Sequence, residues 1–104
     1  MSRRLDKVNQ LLLEQLAKLI QEEFSGQLVT VTNVETAADL KSAKVWISVY
    51  NQDEEEILSQ LAKKAPYFQG YLGKKLFIKN IPKLSFFIDK SLERVAKIEE
   101  LLEK

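Results

Sequence analysis

Residues 42–50 have the sequence SAKVWISVY, in which apolar and mostly polar residues alternate without a break. In an extended chain one face would carry Ala43, Val45, Ile47 and Val49, and the other Lys44, Trp46, Ser48 and Tyr50. Side chains alternate between the two faces of a sheet, so this pattern predicts a strand with one buried face. Residues 28–36, rich in Val and Thr, predict a second strand upstream. Because residues 37–40 form only a short connection, the two strands should pair antiparallel.

Helical patterns lie on both sides of these strands. Residues 3–24 place apolar side chains at three- and four-residue spacing, and Ser25-Gly26 follows as a typical C-terminal stop. Asp53 is placed to cap a second helix over residues 53–64. Pro66 should end that helix, because proline has no N–H and clashes with the preceding turn. It should then begin a third, short helix over residues 66–75.

The remaining segment predicts one more strand and one more helix. Leu76-Phe77-Ile78 is expected to be a short extended stretch before Pro82. Residues 84–89 predict the last strand, and Ser91 can cap a final helix from Leu92. The order is therefore α-β-β-α-α-β-α, with a helical crossover that joins parallel strands. We expect an α+β fold over residues 1–104, a single domain with a three-stranded mixed sheet and helices on one face.

Composition limits the chemistry that the chain can perform. Its 104 residues include no cysteine and no histidine, which removes thiolate metal sites, the best nucleophile and the commonest general base. The carboxylates show no spacing typical of an active site, and no P-loop or dinucleotide fingerprint is present. No stretch has the pattern of a signal peptide or a membrane span. We therefore expect a cytoplasmic protein that is not an enzyme and holds no metal or cofactor.

Charge is unevenly distributed along the sequence. Residues 63–90 contain seven lysines and a single acid, Asp89, whereas residues 1–62 contain six basic and ten acidic residues. Such an uneven distribution of charge in a small domain is typical of a surface that binds a polyanion. A lysine-rich surface that serves only solubility would give the same counts. Charge alone leaves both interpretations open.

Four stretches of the sequence carry a family resemblance. They are Thr30–Val34 (TVTNV), Asp39–Val49 (DLKSAKVWISV), Leu72–Leu76 (LGKKL) and Ile81–Leu92 (IPKLSFFIDKSL). The last contains the most specific pattern, P-x-L-x-F-x-x-D-x-S, which begins at Pro82. In this order and spacing the chain closely resembles the ribosome-binding factor A family over most of its length.

The resemblance implies a fold and a function. The fold would be KH-like, of type II, the plan that the β-β-α-α-β order also indicates. The function would be binding to the free small (30S) ribosomal subunit and assistance in its late maturation, including folding and end-processing of 16S rRNA, particularly at low temperature. The implied partner is the small subunit with its rRNA. We expect a monomer that needs no cofactor, small-molecule substrate or membrane. The alternative is a KH-like protein-interaction module that does not bind RNA.

The family's helix–helix junction has the form Ala-x-Gly, and this chain departs from it. The matching positions are Ala65, Pro66 and Tyr67, so the glycine is replaced by Tyr67, although Pro66 supplies its own reason for a bend. An arginine that is common two positions later is Gln69 here. A separate motif, Gly70-Tyr71-Leu72-Gly73, has the GxxG form of the nucleic-acid loop in other KH domains. A loop at this motif would leave too little chain between Lys74 and Pro82 for the next helix and a strand. We therefore favour the interpretation that both glycines allow close packing in or just after the third helix.

The candidate RNA contacts are basic residues close to this junction and at the start of the chain, namely Lys63, Lys64, Lys74, Lys75, Lys79, Lys83, Arg3 and Arg4. Such residues position RNA by contacting phosphates. Lysines at helix ends also stabilise the helix dipole, which is an alternative reason for their position. Trp46 and Tyr50 share the polar face of the second strand and could stack on unpaired bases. Alternatively, they shield the open sheet face and pack against Thr side chains or Phe87.

Overall fold

The computed structural model describes residues 3–50, 52–76 and 80–90, with only the backbone of Arg3. The elements are α1 (Arg3–Glu23), β1 (Leu28–Thr36), β2 (Ser42–Tyr50), α2 (Glu54–Leu76) and β3 (Lys83–Ile88). Each strand lies within one residue of its predicted bounds. The predicted helix from Leu92 and the extended residues 77 and 78 lie outside the described part of the chain.

The three strands form the predicted mixed sheet. Its order is β1-β2-β3, with β1 antiparallel and β3 parallel to the central β2. On β2, Ala43, Val45 and Ile47 are buried, while Lys44 is exposed. The buried face packs against α1 and α2, whose core residues are Leu12, Leu16, Leu19, Ile20, Ile57, Leu61, Phe68 and Leu72. Both described helices therefore lie on one face of the sheet, as expected, and no helix among the described residues covers the other face.

A β-bulge at Thr32 interrupts the alternation on β1. Val31 pairs with Ile47 and Asn33 pairs with Trp46, so Thr32 is the extra residue. The extra residue keeps Val31 and Val34 on the same buried face although they are three positions apart. The bulge therefore extends the core along the whole of β1.

The predicted break at Pro66 is wrong. Helix α2 runs without interruption from Glu54 to Leu76 and contains Pro66, so the second and third predicted helices are one, and Leu76 is helical. A proline inside a helix costs about 3 kcal/mol, in part because the carbonyl four residues earlier loses its donor. That carbonyl belongs to Ala62, an exposed residue. Leu61 and Phe68, both completely buried, hold the helix against the core on either side of the proline.

The predicted cap of α2 is confirmed. The backbone N–H of Glu56 donates to Asp53 Oδ1 at 3.2 Å, and the first turn contains Glu54, Glu55 and Glu56. These carboxylates complement the positive end of the helix dipole. Neither of the two described helices is long and apolar enough to cross a membrane.

Candidate nucleic-acid interface

The outward face of α2 concentrates positive charge. From Ile57 to Leu76 the helix contains Lys63, Lys64, Lys74 and Lys75 and no acid. Each pair is eleven residues from the other, which is about three helical turns, so the pairs lie on the same side of the helix. All four lysines are exposed. Lys63 and Lys64 therefore lie in the middle of a long helix, not at the end of a short one as predicted.

The topology brings further basic residues to the C-terminal end of α2. This end of the molecule is where β2 and β3 begin, since Ser42 pairs with Lys83 and the Lys83 N–H donates to the Lys41 carbonyl at 3.0 Å. The first half of α1 also lies there, because Asn9 Oδ1 accepts the Thr36 N–H at 2.8 Å.

We call this region the basic end. Its described basic residues are Arg4, Lys7, Lys41, Lys44, Lys74, Lys75 and Lys83. The acids at the same end are Asp6, Glu35 and Asp39.

The opposite end of the molecule is acidic, and two of its carboxylates pair with lysines. Lys64 Nζ lies 3.2 Å from Glu23 Oε2, and Lys90 Nζ lies 3.2 Å from Glu54 Oε2. Both lysine side chains are half exposed, and pairs of this kind contribute only about 0–1 kcal/mol. An incoming phosphate could therefore replace Glu23 as the partner of Lys64 at little cost.

The three residues of the predicted junction do not share one environment. Ala65 and Pro66 line a groove of about 370 Å³ between α2 and β3, whose other walls include Gln69, Leu84 and Phe86. The neighbouring Tyr67 does not line this groove and is 54% exposed. Lys64 Nζ lies 5.9 Å from the centroid of the Tyr67 ring, which joins this tyrosine to the lysine face.

The open sheet face carries the two predicted stacking residues in different environments. Trp46 packs on Phe87, with ring centroids 5.2 Å apart and the planes tilted by 35°. Lys44 Nζ lies 5.9 Å from the centroid of the same Phe87 ring. Packing of Trp46 on Phe87, one of the two alternatives, is thus observed. Tyr50, at the end of β2, is 68% exposed.

The GxxG loop interpretation is wrong, because Gly70 and Gly73 lie inside α2. A helical segment cannot form the loop that clamps nucleotides in other KH domains. Close packing is a weak explanation as well. A Cβ on Gly73 would meet Ile81 at an ordinary 3.5 Å, and a Cβ on Gly70 would meet nothing within 4 Å.

Sequence reasoning missed one polar contact, between Thr32 and Asp89. Thr32 Oγ1 donates to Asp89 Oδ2 at 2.6 Å, and the Asp89 N–H donates to the Ile47 carbonyl at 2.7 Å. The contact depends on the β-bulge at Thr32. This bulge could not be predicted from the sequence, because it forms only when β1 pairs with β2.

Two of the candidate contacts fall outside the described residues, namely Lys79 and the side chain of Arg3. The described Arg4 and Lys83 are both exposed. Within residues 3–50, 52–76 and 80–90 no group of three or more acidic side chains is arranged to hold a metal ion.

Comparison with known proteins gives a consistent result. A family model described as ribosome-binding factor A matches residues 4–102. Ribosome-binding factor A of Akkermansia muciniphila is 38% identical, covering 99% of this chain and 85% of that protein. The protein of the same name from Coxiella burnetii is 35% identical and covers 100% of this chain and 91% of its own length.

Solved structures share the fold. The crystal structure of ribosome-binding factor A from Thermus thermophilus superposes with a TM-score of 0.74 at 22% identity, covering 81% of this chain and 94% of that one. A homology model of the Thermus thermophilus factor, fitted into a cryo-EM map of its 30S complex, gives 0.65 at 15% identity, covering 88% and 97%.

Proposed function

The chain belongs to the ribosome-binding factor A family, and from this we propose that it binds the free small ribosomal subunit and assists its late maturation. The assistance would include folding and end-processing of 16S rRNA, with the greatest need at low temperature. The proposal places the protein in the cytoplasm as a monomer that acts without a cofactor and without catalysis. One observation carries it: twenty residues of α2 hold four exposed lysines and no acid.

The mechanism we propose is selective binding to one rRNA conformation. Lysine contacts with phosphates add affinity without reading sequence, so shape decides where the protein binds. A factor that binds one immature conformer more tightly than the others raises its population. The basic end would supply additional contacts through Arg4 and Lys83. The 30S complex of the Thermus thermophilus factor supports this proposal by the shared fold.

Salt dependence is the first test. Lys74→Gln combined with Lys75→Gln should weaken co-sedimentation with purified small subunits and flatten the plot of log affinity against log salt by about 0.7–0.9 per lost phosphate contact. Glutamine keeps a long polar side chain while removing the charge. The measurement is sedimentation across a range of salt concentrations, with whole ribosomes beside free small subunits.

The matched control is Lys18→Gln, an exposed lysine on α1 that lies outside the basic end. It should keep the wild-type affinity and slope. Wild-type binding that does not respond to salt would contradict the lysine model and favour the alternative, a protein-interaction module. The maturation role is tested separately, by precursor-rRNA accumulation in a deletion strain complemented with each variant.

A further inference from the structure

Two tyrosines lie among the lysines on the outward face of α2. Tyr67 and Tyr71 are 54% and 36% exposed, whereas Phe68 and Leu72, next to them in sequence, are completely buried. Tyr67 follows Lys63 by four residues, and Tyr71 follows Tyr67 by four. Side chains four residues apart are neighbours on a helix surface. Along the helix axis this face therefore carries one pair of lysines, then Tyr67, then Tyr71, and then the second pair of lysines.

Gly70 lies three residues after Tyr67 and directly before Tyr71. Nothing approaches within 4 Å of where its Cβ would be. Glycine inside a helix costs about 0.5–1 kcal/mol relative to alanine in general. Packing in the described residues therefore does not require a glycine at position 70.

We propose that this face binds unpaired rRNA nucleotides, with bases stacked on Tyr67 and Tyr71 and phosphates held by Lys63, Lys64, Lys74 and Lys75. This inference rests on the proposed function and narrows it to single-stranded segments of the rRNA. Exposed aromatic rings beside a row of positive charge are the composition of single-strand binding surfaces. The two tyrosines are about 6 Å apart along the helix axis, so they can engage separate bases.

Duplex RNA does not suit this surface. Bases in an A-form helix are stacked on one another, and the major groove is too deep and narrow for side chains to read. A protruding ring can stack only on a base that has left the duplex. The lysines could still bind duplex phosphates, but the tyrosines would add nothing to that binding. Stacking on the tyrosines should therefore make the protein bind single-stranded RNA more tightly than duplex RNA.

The test compares a labelled single-stranded oligoadenylate with an RNA duplex of similar phosphate content. Tyr67→Ala and Tyr71→Ala should each weaken single-strand binding about five- to a hundredfold. Tyr67→Phe and Tyr71→Phe keep the ring and should stay near wild type. Duplex affinity and the salt slope should not change in any tyrosine variant, because no charge is removed. Thermal unfolding of each variant verifies that the fold is intact.

Undiminished single-strand binding by a folded Tyr67→Ala/Tyr71→Ala double variant would overturn the inference. So would a loss seen only in Tyr50→Ala, because that result would place stacking on the open sheet face. The proposed function is decided by a different measurement, wild-type co-sedimentation with small subunits. If that binding is present and the tyrosine variants are unaffected, only the inference fails. If it is absent, the proposed function fails, and the oligoadenylate comparison still decides the stacking.

Discussion

At the scale of single residues, Thr32 connects the two outer strands of the sheet. Its hydroxyl donates to Asp89 Oδ2 at 2.6 Å, directly after β3, and the hydroxyl oxygen also lies 3.3 Å from the Trp46 carbonyl oxygen on β2. Thr32 and Asp89 are 57 positions apart in sequence. The contact fixes the end of β3 relative to the bulge of β1. It also gives a structural reason for the aspartate in the P-x-L-x-F-x-x-D-x-S pattern.

Thr32→Val should lower the free energy of unfolding by about 1–2 kcal/mol, because it removes a hydrogen bond to a charged group at nearly constant shape. Urea denaturation measures this change. Thr30→Val is the matched control, since Thr30 lies on the same strand with an exposed side chain. It should change stability by no more than about 0.5 kcal/mol. Equal effects of the two substitutions would show that the Asp89 contact contributes little.

At the scale of elements, α2 shows where sequence patterns and tertiary packing disagree. Period-two and helical patterns located β1, β2, β3 and α1 within one residue of their bounds, because each has one face in the core. The proline rule failed in α2. It describes a local cost of about 3 kcal/mol, and burial of Leu61 and Phe68 on either side offsets it. The bulge at Thr32 was missed for a similar reason, since strand pairing determines it.

Pro66→Ala should therefore stabilise the protein. Alanine restores the N–H for the Ala62 carbonyl and has a much higher helix propensity, although the unfolded chain gains some freedom. We expect the free energy of unfolding to rise by about 1–3 kcal/mol in urea denaturation. Ser59→Ala, at an exposed position of the same helix, measures ordinary helix propensity and should give about 0.5 kcal/mol or less. A gain at Pro66 no larger than that would mean that the surrounding turns already compensate for the proline.

At the scale of the whole molecule, α2 has a buried face that stabilises the fold and an exposed face that we propose binds RNA. The sequence predicted that lysines around Pro66 form the candidate site, and the structure brings Lys63, Lys64, Lys74 and Lys75 onto one side of one helix. It did not predict that Tyr67 and Tyr71 share that side. Because the predicted break at Pro66 divided the helix in two, the number of residues between Lys63 and Tyr67 could not be used to predict that they lie on the same side. A continuous helix restores that spacing and makes the six residues one surface.

Phe68 and Tyr67 test this separation because they are adjacent in sequence but differ in burial, although their ring centroids lie only 5.9 Å apart. Phe68 is completely buried and meets Phe86 edge-on at 6.3 Å, so Phe68→Ala should cost about 3–5 kcal/mol. Domains of this size are stabilised by only about 5–15 kcal/mol, so the melting temperature should fall sharply. Tyr67→Ala should cost much less, about 0.5–1.5 kcal/mol for the lost contact of its half-exposed ring with Phe68, and should lower the melting temperature only slightly. If Tyr67→Ala destabilised the protein as much as Phe68→Ala, its ring would belong to the packing of α2. A loss of RNA affinity could then no longer be assigned to base stacking.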